Sequence, residues 1–243
     1  MLKELVERSL HVNNDVDELQ FTFEVVSTNG AYEVLDEAGQ KIENLSKIPQ
    51  HSSSVDQIGS VLEQLGRFRF AKELLNEELT ESFPESLKVQ IFANGTYYGP
   101  DSVIKMNHNS VAYLIVENQG DKHLYVYAYN LGPNWQVQRM FQGSYMVISP
   151  QGMIRKGLRM TIPDQMIKMG HCSCKDIVKV IITSHSTSFG MLELPRLGEQ
   201  LSLGEQLKVS NNLDRSGHKG DGQERWVAMN FPIHVILHGN EGN

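Results

Sequence analysis

The chain has 243 residues, 40% of them apolar, enough to bury a core in one large β domain or two small ones. Its 22 basic and 29 acidic side chains leave a formal net charge of −7, and no Lys/Arg cluster stands out, which argues against a nucleic-acid or anionic-membrane surface. No stretch approaches the roughly 18 apolar residues of a spanning helix, the charged start lacks the apolar run of a signal peptide, and the only cysteines, Cys172 and Cys174, lie too close for a structural disulfide; a reduced, cytoplasmic protein is expected.

In chain order, residues 1–20 read as an N-terminal segment. Phe21, Phe23 and Val25 then alternate with Thr22 and Glu24, and residues 31–35 repeat the extended pattern after the turn-forming Asn29-Gly30, which predicts a hairpin. A polar connector at 49–54 leads to the best helical period in the chain. Val55, Ile58, Leu62, Leu65, Phe68 and Leu75 recur at helical spacing, with Ser54 placed to cap, so one amphipathic helix is predicted near 55–77. Glu63, Arg67 and Lys72 mark its solvated face, and Phe83-Pro84 blocks any continuation.

Beyond residue 86 the period changes to two. Short strands are predicted at 87–92, 110–117, 122–129, 135–139, 145–149 and 158–162, separated by turn signals such as Asn94-Gly95 and Gly132-Pro133. The run 176–183 is apolar on both faces except at Lys179 and belongs in the middle of a sheet. A last strand is expected over 226–237, placed at an edge or bulge by Pro232, and the polar stretch 211–222 reads as an exposed loop. The expected fold is mainly β: an antiparallel β-sandwich, jelly-roll-like or immunoglobulin-like, over 86–243, with 21–85 as a hairpin-plus-helix region that can join it in one domain.

The chemistry-bearing residues are few. No glycine-rich phosphate loop is present, so no nucleotide cofactor is expected. His171, Cys172 and Cys174 are soft ligands, but a structural zinc site takes four ligands, usually from two separated pairs, and no second pair exists; no metal is expected. Cys172 or Cys174 with a histidine base would make a cysteine hydrolase, yet His123 lacks a following glycine and no cysteine follows His238-Gly239, so no catalytic residue is assigned.

Binding is the more natural expectation. Tyr125, Tyr127 and Tyr129 project from one face of a predicted strand and Leu124, Val126 and Ala128 from the other. With Trp135 nearby, the tyrosines form either a half-buried packing face or a platform for a carbohydrate or peptide. Phe189, Met191, Leu192 and Leu194 form an apolar lip that either packs over the sheet or receives a partner's strand.

Several stretches together resemble a known family. "GAYEVLDEAGQKIENL" (30–45), "LGRFRFAKELLN" (65–76), "LYVYAYNLGPNWQVQRMF" (124–141), "CKDIVKVIITSHSTSFGMLELPRL" (174–197) and "RWVAMNFPI" (225–233) resemble the β-rich region that follows the peptidase domain in fungal caspase-like proteins. The resemblance covers roughly 20–237 and omits that family's catalytic dyad. It implies a non-catalytic accessory module that binds either a protein partner, a caspase-like peptidase domain in cis or in trans, or a regulatory ligand.

Overall fold

The computed structural model describes residues 23–51, 53, 55–75, 86–199 and 225–237. Its first elements are the predicted hairpin, β1 (Phe23–Thr28) and β2 (Ala31–Asp36), paired antiparallel from Phe23↔Asp36 to Thr28↔Ala31. Asn29 and Gly30 close it with φ of +49° and +77°, the left-handed pair that a two-residue turn requires. A short β3 (Ile48–Pro49) pairs with β2. Glu33 on β2 lies between Lys41 and Lys47, at 2.8 and 2.9 Å, and hydrogen bonds first from Lys41 and then from Lys47 hold its carboxyl below the usual glutamate range.

Helix α1 (Val55–Glu73) is shorter than predicted. Ser54, Phe21, Thr22 and residues 76–77 of the expected helix lie outside the described residues. The buried stripe is Leu65, Phe68, Ala71 and Leu74, whereas Val55 and Leu75, both expected inside, are 84% and 50% exposed. Val55 begins the helix, and Leu75 lies past its end, one position off the stripe. The chain divides into two compact units between Phe70 and Ala71, within this helix.

The second unit is a two-sheet sandwich. One sheet has the order β11-β7-β4-β5, from β4 (Leu87–Ala93), β5 (Thr96–Tyr98), β7 (Val111–Asn118) and β11 (Met153–Arg159), all antiparallel. The other has the order β10-β8-β12-β13-β6, with β9 also on β8. It comprises β6 (Ile104–Asn107), β8 (Leu124–Leu131), β9 (Val137–Arg139), β10 (Met146–Ile148), β12 (Ser173–Thr183) and β13 (Trp226–Ile236). Alternation sends Val89 and Ile91, Leu114 and Val116, Val126 and Ala128, Val178 and Val180, and Phe231 and Ile233 into one common core between the sheets. Helix α2 (Asp164–Lys168) adds Met166 to it.

Three expectations are corrected. The strand predicted at 158–162 is β11, at Met153–Arg159; beyond it the Met160 backbone bonds to Asn109 and Ser110 in the turn before β7. The strand expected from Trp135 starts at Val137; Trp135 has φ +62° and belongs to the turn, where a β-carbon on Gly132 would stand 2.2 Å from the Gln136 amide nitrogen. The strand 226–237 is not an edge: β6, which the turn signals hid, pairs parallel with it from Ile233↔Ile104 onward, so Pro232 sits just before that ladder begins. The loop expected at 211–222 lies outside the described residues.

Candidate functional site

The tyrosine face comes first, since the sequence singles it out. Leu124, Val126 and Ala128 do face the core, and the tyrosines face the other way. That second face is covered: Tyr127 and Tyr129 are each 1% exposed. The segment after β12 turns back over them. The Tyr127 hydroxyl donates to the Thr187 carbonyl at 2.9 Å and accepts from the Thr187 amide at 2.8 Å, and the Phe189 ring packs edge-on against Tyr127 at 4.8 Å. A 3₁₀ turn (Gly190–Leu192) buries Leu192, and Leu194 forms a two-bond bridge with Val137 along the edge of β9. Burial raises the pKa of the Tyr127 and Tyr129 phenols.

The structure thus brings 187–194 over Tyr127, with Phe189 against its ring and Leu192 and Leu194 buried, so a ligand could reach Tyr127 only by displacing that segment. Tyr125 is half-buried and stacks edge-on against Tyr145 at 5.2 Å, while Trp135 and Met191 are half-buried within contacts of their own.

The cysteines differ in burial because Cys172 precedes β12 and Cys174 lies within it. Cys172 is exposed, its sulfur 3.8 Å from the Gly170 carbonyl. Cys174 is 4% exposed on the inner face of β12, and its sulfur lies 3.4 Å from an Asp176 carboxylate oxygen. Burial first, and then the Asp176 charge, push the Cys174 thiol up to about 12, opposite to the thiolate a nucleophile needs. Among the described residues no group of three His, Cys, Asp or Glu side chains is arranged to hold a metal, and no helix is long and apolar enough to cross a membrane.

A site that no sequence motif announced lies between the sheets along one side. There β11 is the edge of one sheet, and β9 flanks β8 at the edge of the other. The space between them is a cleft of about 300 Å³, lined by Asn130 on β8, Arg139 and Met140 at the end of β9, Leu158 and Arg159 on β11, and Asp176 on β12. Asp176 is 4% exposed and, among the described residues, has no cation bonded to it. It accepts from the Asn130 amide at 3.0 Å and from Cys174, while the Asn130 Oδ1 is buried without a partner. Burial raises the Asp176 pKa, and the bond from Asn130 opposes that rise.

The two arginines differ. Arg139 is paired with Glu193, its Nε 3.1 Å from the carboxylate, whereas Arg159 is exposed and has no carboxylate partner among the described residues. The recess thus combines a buried acceptor without a donor with an exposed guanidinium in its lining.

Two further features escape sequence reasoning. Lys179, central on β12, is fully buried; its ammonium donates to the Lys72 carbonyl in the last turn of α1 and to Asn230 Oδ1, each at 3.1 Å. Burial lowers its pKa from 10.5 to about 8. On the outer face of the four-stranded sheet, register sets Tyr97, Phe92, Tyr113 and Gly157 in one row, with the Arg155 guanidinium 4.1 Å over the Tyr113 ring.

No protein-family model matches this chain, and no curated protein matches it significantly.

Proposed function

We propose that the chain is a non-catalytic interaction module that binds a protein partner at the cleft between β9 and β11. The observation that carries this reading is the cleft itself: about 300 Å³ beside a sheet edge, holding, among the described residues, a buried Asp176 without a cation and an Asn130 acceptor without a donor. Groups left in that state favour a donor-bearing visitor, because an unmet buried acceptor costs about 1–3 kcal/mol. The chemistry for a cysteine hydrolase is poor, since the buried sulfur is hydrogen-bonded to a carboxylate and held as a thiol. The sequence resemblance supplies the kind of partner, a caspase-like peptidase domain in the same chain or another, and two unpaired cysteines fit a reducing, cytoplasmic setting.

Thiol reactivity tests the non-catalytic half. With iodoacetamide at neutral pH, Cys172 is expected to label at the rate of an ordinary exposed thiol, and Cys174 only after unfolding. Labelling of either sulfur much faster than a free thiol would reveal a low-pKa nucleophile and defeat the reading.

A carbohydrate-binding reading has one observation in its favour, the row Tyr97, Phe92 and Tyr113, with Tyr97 60% exposed. Soluble glycans whose binding perturbs that row and leaves the cleft unmoved would select it.

A further inference from the structure

Sheet edges normally need protection, because their unpaired N–H and C=O groups template a further strand. The two edges flanking the cleft are treated differently. That of β9 is occupied at Val137, where Leu194 exchanges two backbone hydrogen bonds of 3.0 Å with it. The edge of β11 is open: among the described residues this seven-residue strand pairs with β7 alone, so alternate backbone groups over Met153–Arg159 face away from any strand.

The sequence of that strand, MIRKGLR, holds Arg155, Lys156 and Arg159 and no acid, on a chain whose net charge is −7. Charge alone has an ordinary explanation, since basic residues discourage edge-to-edge association. Protection, however, has no need of a recess. Here the cleft lies along the same edge, with Leu158 and Met160 on its wall and the Asp176 and Asn130 side chains within it. An added strand would send alternate side chains to opposite faces, one set toward Arg159 and the other toward the cleft. Arg155 is held over Tyr113, so Arg159 is the guanidinium free to meet an incoming carboxylate.

We propose that an extended, acidic segment of a protein partner adds as a fifth strand to the four-stranded sheet along the free edge of β11, placing a carboxylate on Arg159 and a donor-bearing side chain in the cleft. Main-chain hydrogen bonds supply affinity in this mode, and the charge and the recess supply selectivity. The inference rests on the reading of the chain as a binding module and names the edge, the polarity and the conformation of what it binds.

The test is selection of a displayed library of random decapeptides against the whole chain, followed by hydrogen exchange of the chain with the selected peptides. The expected peptides are rich in Asp and Glu, slow the exchange of alternate amides across Met153–Arg159, and bind Arg159→Glu at least about tenfold more weakly, an ordinary loss for reversing one charge at an interface. A Lys-for-Glu peptide is expected to regain affinity for that variant, which a merely misfolded protein could not give. Selected peptides that protect 187–194 or the Tyr97 row instead would overturn the edge proposal while leaving a binding module intact. Selection of no peptide, together with a hyper-reactive thiol, would overturn both.

Discussion

At the scale of single residues, Lys179 carries the clearest physical tension. A buried ammonium costs free energy, and the Asp101 charge offsets it only in part, so its proton leaves the folded chain near pH 8 and the unfolded chain near 10.5. Between those values the unfolded state binds more protons, and stability therefore rises with pH from this group, by ~3 kcal/mol if the whole window is crossed. Cys174 opposes it above pH 9, because its raised pKa makes the folded state the better proton binder there. The parent chain and Lys179→Met share that second effect. The parent is expected to gain on the variant progressively from pH 8 to 10 in urea unfolding, and a difference that stays flat would refute the assignment. The Lys72 carbonyl keeps a donor in the variant, the Asn230 amide at 3.0 Å, which limits the damage from the substitution.

At the scale of elements, the informative contact is between β8 and the segment that returns over it. Tyr127 lies 60 residues from Thr187, and its hydroxyl satisfies both backbone groups of that residue. Tyr127→Phe keeps the ring contact with Phe189 and removes both bonds. It is expected to cost about 1–2 kcal/mol in denaturant unfolding and to open the 187–194 segment to proteases without changing the rest of the sandwich. An unchanged cleavage pattern would mean that Leu192, Leu194 and the bridge to Val137 hold the segment unaided. The alternation of 124–129 correctly separated a core face from a tyrosine face, but a period of two cannot tell whether the second face meets water or another stretch of chain. Leu158 likewise reads as strand in either of two placements, and the turn toward α2 that ends β11 at Arg159 has no strong local mark.

At the scale of the whole molecule, β12 is the organising strand of the sandwich unit. It pairs with β8 over seven positions and with β13 over eleven, and its inner face reaches the common core at Val178, Val180 and Ile182. Its amides are expected to exchange most slowly of the described residues. Ile182→Ala, at a site 1% exposed, is expected to cost about 2–5 kcal/mol, partly as a cavity. Exchange as fast in the middle of β12 as in β5 would contradict the placement.

The sequence by itself determined the β-rich class, the hairpin turn at Asn29-Gly30, a turn at Asn94-Gly95, the helix from Val55 and the central position of the strand around Lys179, because each is written in local backbone preference or short-range periodicity. Only the tertiary structure decided what lies over the tyrosines, which oxygen receives the Lys179 ammonium 107 residues away, where the parallel strand β6 joins, and that Asn130, Arg159 and Asp176 share a cleft. Those facts depend on which distant segments meet across and between sheets. Side-chain periodicity repeats along one strand and does not name its neighbour.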